Sequence, residues 1–233
     1  MTIGVVVFPG SNCDHDVYHV IKHVCGEDAR FLWHKDRELS GIDGLVLPGG
    51  FSYGDYLRCG AIARVSPIMA EVRRFAEQGR PVLGICNGFQ VLVEAGILPG
   101  ALVHNRDQHF ICRPMHLRVA SAASPYTQGY AKGQVVNFPI AHADGNYQAL
   151  PDTIQELEDN DRVAFRYARP DGTVDDAANP NGSIHNIAGI LNAGRNVLGL
   201  MPHPERAAEP ELGCTDGRAL FMGMISNLVE HSA

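Results

Sequence analysis

The 233-residue chain lacks any apolar run near the roughly 18–20 residues of a membrane span, which excludes a spanning helix as the organising feature. It has no Lys/Arg-rich stretch, and a net charge of −7 disfavours a nucleic-acid groove or an anionic membrane surface as partner. Its six cysteines, at 13, 25, 59, 86, 112 and 214, form no CxxC pair and follow no regular spacing, which argues against a zinc ribbon or a thioredoxin-type site. No GxxxxGK[ST] phosphate loop or kinase-like motif set occurs, so the chain offers no evident ATP site. Repeats, low-complexity tracts and linkers are absent as well, and one domain over residues 1–233 is the expectation. The opening MTIGVVVFPGSN has no basic leader, so it reads as a first strand and a cytoplasmic protein is expected, with its thiols reduced.

What is present is alternation. IGVVVF (3–8), GLVLPGG (44–50) and PVLGI (81–85) are continuous apolar runs, the pattern of parallel strands covered on both faces. Helical signals lie between them, over 14–24, 66–78 and 88–96, the second with Ile68, Met69, Val72, Phe75 and Ala76 on one face. The chain's middle changes character. HLRV (116–119), QVVNFPI (134–140), RVAFRY (162–167) and IAGILN (187–192) are strand-like between turn-rich spacers, while IQELEDND (154–161) reads as a solvated surface. NVLGLMPHPE (196–205) returns to the buried-strand pattern. Thr215 or Asp216 can cap a last helix with Leu220, Phe221, Met224, Ile225, Leu228 and Val229 on its apolar face. The expected fold is α/β: a single open, mostly parallel sheet flanked by helices, with a mixed or antiparallel extension.

Three stretches carry chemistry. In GICNGFQVL (84–92), Cys86 stands where a buried strand turns into a helix. Any cysteine met blind is most simply a small buried side chain, but G-x-C-x-G at a strand-to-helix turn is the thiol form of a nucleophile elbow. The helix N-terminus favours the thiolate, and the Asn87 N–H can serve a developing oxyanion. In MPHPE (201–205), His203 can act as base with Glu205 fixing its tautomer, two residues apart in extended backbone. In LPGGFSYGDYLRCGA (47–61), Gly49 and Gly50 can turn N–H groups onto a concave rim. The loop beyond them, with Tyr53, Asp55, Tyr56 and Arg58, is either plain surface or a lid that docks a partner.

Together these elements resemble the class I (triad) glutamine amidotransferases, whose glutaminases carry G-[IVL]-C-x-G-x-Q and a late H-P-E. Here the motifs are Gly84-Ile85-Cys86-Asn87-Gly88-Phe89-Gln90 and His203-Pro204-Glu205. Asn87, the PGGFSYGDYLRCGAIA stretch and the opening FPGSNCDHD are similar to one branch, the glutaminase subunits of phosphoribosylformylglycinamidine synthase in purine biosynthesis. The resemblance implies a flavodoxin-like fold and a Cys86-His203-Glu205 triad acting on L-glutamine. It also implies oxyanion donors at the Gly50 and Asn87 backbone, and substrate contacts at Gly49, Gln90, Asn105 and Phe110. Within this chain it implies no cofactor and no metal. ATP and Mg would sit on a separate synthetase subunit, joined by a small third bridging subunit, and the isolated glutaminase would be weakly active.

Two rival readings differ in what they require. Another cysteine hydrolase would share the elbow without needing Gln90 or a partner, and a glutamine-analogue label would leave its Cys86 unmodified. A binding module that kept the fold would be expected to have lost a triad member, and all three are present. His15, His19 and His23, one turn apart on the first helix, could share a metal, but no second segment supplies a ligand, and a surface row is the simpler account.

Overall fold

The computed structural model describes residues 1–232, with side chains described as far as Val229. In chain order the strands are β1 (Thr2–Val7), β2 (Asp28–Trp33), β3 (Gly44–Leu47), β4 (Val82–Ile85), β5 (Ala101–Val103), β6 (Ile111–Val119), β7 (Val135–His142), β8 (Asn146–Gln148), β9 (Val163–Tyr167), β10 (Ile187–Leu191) and β11 (Val197–Leu200). The α-helices are α1 (Asp14–His19), α2 (Ile68–Glu77), α3 (Asn87–Glu94), α4 (Pro151–Asp159) and α5 (Arg218–Ser232).

Nine strands form one sheet in the order β2-β1-β3-β4-β11-β10-β9-β6-β7. From β2 to β11 every pairing is parallel; from β11 onward every pairing is antiparallel. The parallel strands β3, β4 and β11 are buried at every residue, as continuous apolar runs demand when both faces are covered. β7 alternates instead, burying Val136, Phe138, Ile140 and His142 and leaving the residues between them only part-buried. α3 lies against β3, β4 and β11, which puts its N-terminus at the carboxyl edge of the central strands.

Several expectations need correction. The edge strand β2, not expected from the sequence, buries only Leu32 of its six residues. The acidic segment taken for plain surface is α4, begun by Pro151 in the first turn and anchored by Ile154 and Leu157 one turn apart. β5 and β8 make a separate two-stranded sheet. The first helix changes to a π-helical turn over Val20–Val24. α5 starts at Arg218, and Val229, placed on its apolar face from sequence, is 57% exposed. Finally, β11 stops at Leu200, so His203 and Glu205 lie beyond the strand rather than along it, and Pro204 opens a 3-10 turn over Pro204–Arg206.

Candidate active site

Cys86 joins β4 to α3 without a spacer. Its backbone sits at φ 49°, ψ −106°, a conformation that L side chains rarely adopt and that is held by its surroundings. Those surroundings are two glycines. At Gly88 a Cβ would overlap the Leu47 carbonyl oxygen, and at Gly84 it would stand 2.5 Å from Leu92 Cδ1 and 2.9 Å from the Gly88 backbone. The elbow is therefore pressed onto the end of β3. The Cys86 N–H donates to Leu200 O at 2.8 Å, and Sγ lies 3.7 Å from the Ala141 carbonyl.

His203 Nδ1 and Glu205 Oε1 are 2.6 Å apart, and both residues are about 1% exposed. The 3-10 turn after His203 brings the carboxylate back to the ring, and the His203 N–H is tied to Pro139 O of β7 at 2.8 Å. Burial alone would lower the His203 pKa. The Glu205 carboxylate and the Cys86 sulfur outweigh it and hold the imidazole well above its ordinary value. A protonated ring is then available beside the thiol, with His203 Nε2 and Glu205 Oε2 both buried and unmatched by a protein partner. In sequence His203 lies 117 positions from Cys86; β11 lies directly beside β4 and unites them.

The glycine rim meets the triad at Gly49. A Cβ there would stand 2.7 Å from His203 Cε1 and 3.0 Å from Cys13 Sγ, so the imidazole occupies the space a side chain would need. Gly50, at φ 150°, passes equally close to the Ser11–Asn12 backbone. Asn87 is the first residue of α3, where a backbone N–H has no intrahelical partner. Its side chain does something the sequence did not announce: Oδ1 accepts from the Ser52 N–H at 3.2 Å and from Ser52 Oγ, binding the 51–60 loop to the elbow.

The other residues singled out from sequence divide. Gln90 and Asn105 are buried with their amides spent inside the protein. Gln90 Oε1 accepts from Asn87 Nδ2 at 2.9 Å and Nε2 donates to Asp144 O at 2.7 Å. Asn105 Nδ2 donates to the His109 and His142 carbonyls, while Oδ1 accepts from the Gly145 N–H and pairs with His142 Nδ1. Both brace the segment carrying Ala141 to Gly145 against the nucleophile. Phe110 is exposed just before β6. In the loop, Arg58 holds Glu94 of α3 with Nε–Oε1 at 2.6 Å and Nη2–Oε2 at 2.7 Å. Asp55 reaches Asn87 Nδ2 at 3.5 Å, and burial raises its pKa. Tyr53 is half-buried with its hydroxyl on His34 Nδ1 at 2.8 Å; Phe51, Tyr56 and Leu57 are the exposed apolar side chains of the loop, the last two most of all.

Sequence reasoning passed over three site neighbours. His142 is buried, its pKa lowered to about 4 by burial and by nearby His203. Asp144 anchors Cys59 Sγ at 3.1 Å and Gln90. Cys13 places its sulfur within 4.8 Å of a His203 ring nitrogen. The alternating burial of β7 is the one sequence signal that could have flagged His142.

Among the described residues, Cys13, His203 and Glu205 form the one group with spacing suited to a metal, their donor atoms within 4.8 Å of one another. Arg206 Nη2 already donates to Cys13 Sγ at 3.0 Å, so a guanidinium supplies the positive charge there. His15, His19 and His23 are exposed and make no such group; His15 lies against Phe31 and His19 pairs with Glu209.

A thiol elbow, a buried His–Glu pair and a glycine rim on one sheet edge are the parts a cysteine hydrolase would need. Which one is decided by likeness. Residues 1–212 match the CobB/CobQ-like glutamine amidotransferase domain. The chain belongs to this family. It is 54% identical over 230 residues, covering 99% of this chain and all of the relative, to the phosphoribosylformylglycinamidine synthase subunit PurQ of Koribacter versatilis. The subunit of the same name from Chlorobaculum tepidum is 57% identical over 228 residues, 98% of this chain and 97% of that one. In solved structures, a chain of PurLQS from Thermotoga maritima superposes with a TM-score of 0.87 at 41% identity, covering 97% of this chain and 98% of that one. This glutamine amidotransferase thus falls among the PurQ-type glutaminase subunits of purine biosynthesis, the branch its opening and loop motifs resembled. A Thermotoga maritima glutamine amidotransferase at 15% identity and TM-score 0.57 shares the fold alone.

Proposed function

We propose that the chain, a single glutaminase domain over residues 1–233, hydrolyses L-glutamine at Cys86 and passes the ammonia to a separate synthetase subunit. The supporting observation is the 2.6 Å His203–Glu205 pair beside a cysteine at positive φ. The Cys86 thiolate attacks the side-chain amide carbon, and the oxyanion is met by the Gly50 and Asn87 N–H groups. His203 gives its proton to the amide nitrogen, the C–N bond breaks, and ammonia leaves a γ-glutamyl thioester. Water then attacks the thioester, giving its proton to His203, and glutamate departs with the thiolate restored. Glu205 holds the ring's tautomer throughout. Gly49 leaves room for the ring, while Gln90 and Asn105 act through the 141–145 segment and Phe110 flanks its edge.

The synthetase would bind ATP and Mg and use the ammonia to convert formylglycinamide ribonucleotide to its amidine, with a small third subunit bridging the two. The chain itself needs no cofactor in this reading. No described helix is long and apolar enough to cross a membrane, which accords with a cytoplasmic complex. Partner control fits the loop. Ser52 and Asp55 touch Asn87 beside the nucleophile, Arg58 grips α3, and Tyr56 and Leu57 face outward for contact. The test mixes the chain with the synthetase, ATP, glutamine and formylglycinamide ribonucleotide. Product from wild type, none from Cys86→Ser with glutamine, and product from Cys86→Ser with ammonium salt is the expected set; glutamine-dependent product from Cys86→Ser would overturn the reading.

A further inference from the structure

His203 has two sulfur neighbours, and the hydrolysis above uses one of them. The second, Cys13, is 2% exposed at the entry to α1, its N–H bonded to Gly49 O at 3.2 Å. Gly49 brings thiol and ring together, because the missing Cβ would meet His203 Cε1 at 2.7 Å and Cys13 Sγ at 3.0 Å. Packing alone would explain a small buried thiol. It does not explain what surrounds this one. Arg206 Nη2 donates to Cys13 Sγ at 3.0 Å, Arg206 Nε donates to Asp16 Oδ2 at 3.2 Å, and the thiol points to Asn12 Oδ1 at 3.2 Å. A guanidinium directed at sulfur fixes the position of the sulfur beside the ring. Arg206 also follows Glu205 in the same 3-10 turn, so this clamp and the triad carboxylate share one backbone unit.

We propose that Cys13 is a positioning residue of the glutaminase: its sulfur, clamped by Arg206 and Asp16, holds the His203 ring in the orientation that serves Cys86. This rests on the function proposed above. Cys13 forms and breaks no bond. Its effect falls on the proton that His203 gives to ammonia and then recovers from water, and so on turnover rather than glutamine binding. The titratable groups around His203 are Glu205, Cys86 and Cys13, with His142 and Arg206 adjacent. The Cys13 sulfur, within 4.8 Å of a ring nitrogen, favours the protonated ring, so its loss would make the ring easier to deprotonate.

The experiment measures glutamine hydrolysis in the assembled complex across pH for wild type, Cys13→Ala, Cys13→Ser and Arg206→Gln, with melting temperatures. Cys13→Ala is expected to lower kcat about tenfold with KM within about twofold, and to move the alkaline limb, on which His203 loses its proton, to lower pH. Cys13→Ser, which keeps a small acceptor, is expected to recover most of kcat and the limb. Arg206→Gln, which leaves the thiol unclamped, is expected to lower kcat in the same direction. Wild-type kcat and an unmoved limb in Cys13→Ala overturn the proposal. Equal losses in the alanine and serine variants with an unmoved limb also overturn it, since that is a packing defect. Cys86→Ser run alongside separates the two levels. If it retains hydrolysis, the proposed function fails; if it abolishes hydrolysis while Cys13→Ala matches wild type, only the positioning role fails.

Discussion

The two halves of the sheet do different work for the same site. In the parallel half, β3, β4 and β11 end together, and the loops leaving them carry the glycine rim, Cys86 and His203. In the antiparallel half, β7 and the segment after it bring Ala141 and His142 to the triad, and no group from that half enters the proposed chemistry. The difference follows from sheet physics. Parallel strands end at one edge, where helix N-termini and exposed N–H groups gather and reacting groups converge. Antiparallel strands alternate in direction, so that half contributes walls and braces. One half supplies chemistry; the other supplies its shape.

Substitutions can test that division, beginning with the largest effect. Gly49→Ala, in the parallel half, puts a methyl group 2.7 Å from His203 Cε1, and hydrolysis should fall about a hundredfold while the protein stays folded. Comparing kcat with the melting temperature checks this, and an active Gly49→Ala enzyme would show that the ring has slack. The antiparallel half should respond in stability instead. His142 has its pKa lowered to about 4, so between the ordinary histidine value near 6.5 and pH 4 the unfolded chain binds a proton that the folded chain refuses. Stability is therefore full above that window and should fall by about 3 kcal/mol as pH drops through it. Urea unfolding of wild type and His142→Asn across pH 4–7 reads this out, the variant giving the flatter profile.

Asn105→Ala removes an amide engaged with His109, His142 and Gly145, and about 2–3 kcal/mol of stability should go with it, since buried carbonyls and an N–H lose their partner. Its KM should change less than its urea midpoint; a large KM effect with no stability loss would return Asn105 to direct substrate contact. Arg58→Ala breaks a largely exposed ion pair and should cost under about 1 kcal/mol. Its distinguishing effect belongs to the complex, where activation of hydrolysis by the synthetase should weaken. Unchanged activation would detach the loop from partner sensing.

Legibility in the sequence followed local signatures, in both halves of the sheet. Continuous apolar runs marked β1, β3, β4 and β11, and the motifs at their ends singled out Cys86, His203 and Glu205 as candidates, because a buried parallel strand and an elbow both leave local signatures. β2 left only the short run Phe31-Leu32-Trp33, since an edge strand with one buried residue needs no longer one. α4 was hidden by its charge, its packing resting on Ile154 and Leu157 alone. Cys13 read as one more buried thiol because its meaning depends on Arg206, 193 residues away. His142 and Asp144 were illegible for the same reason. Gln90 and Asn105 were found by motif or neighbourhood, but whether an amide faces substrate or protein is decided by partners distant in the chain.

Gly88 has a consequence for how the molecule responds to heat. A Cβ at Gly88 would overlap the carbonyl of Leu47, and Leu47 leads through Pro48 into the glycine rim. The helix carrying the nucleophile and the strand leading to one of the proposed oxyanion donors thus touch backbone to backbone, with no side chain between them to change rotamer. Vibrations that displace one displace the other, and the spacing between sulfur and rim is insulated from the looser motions of the surface. As temperature rises, the exposed 51–60 loop should loosen before the spacing of sulfur and rim does.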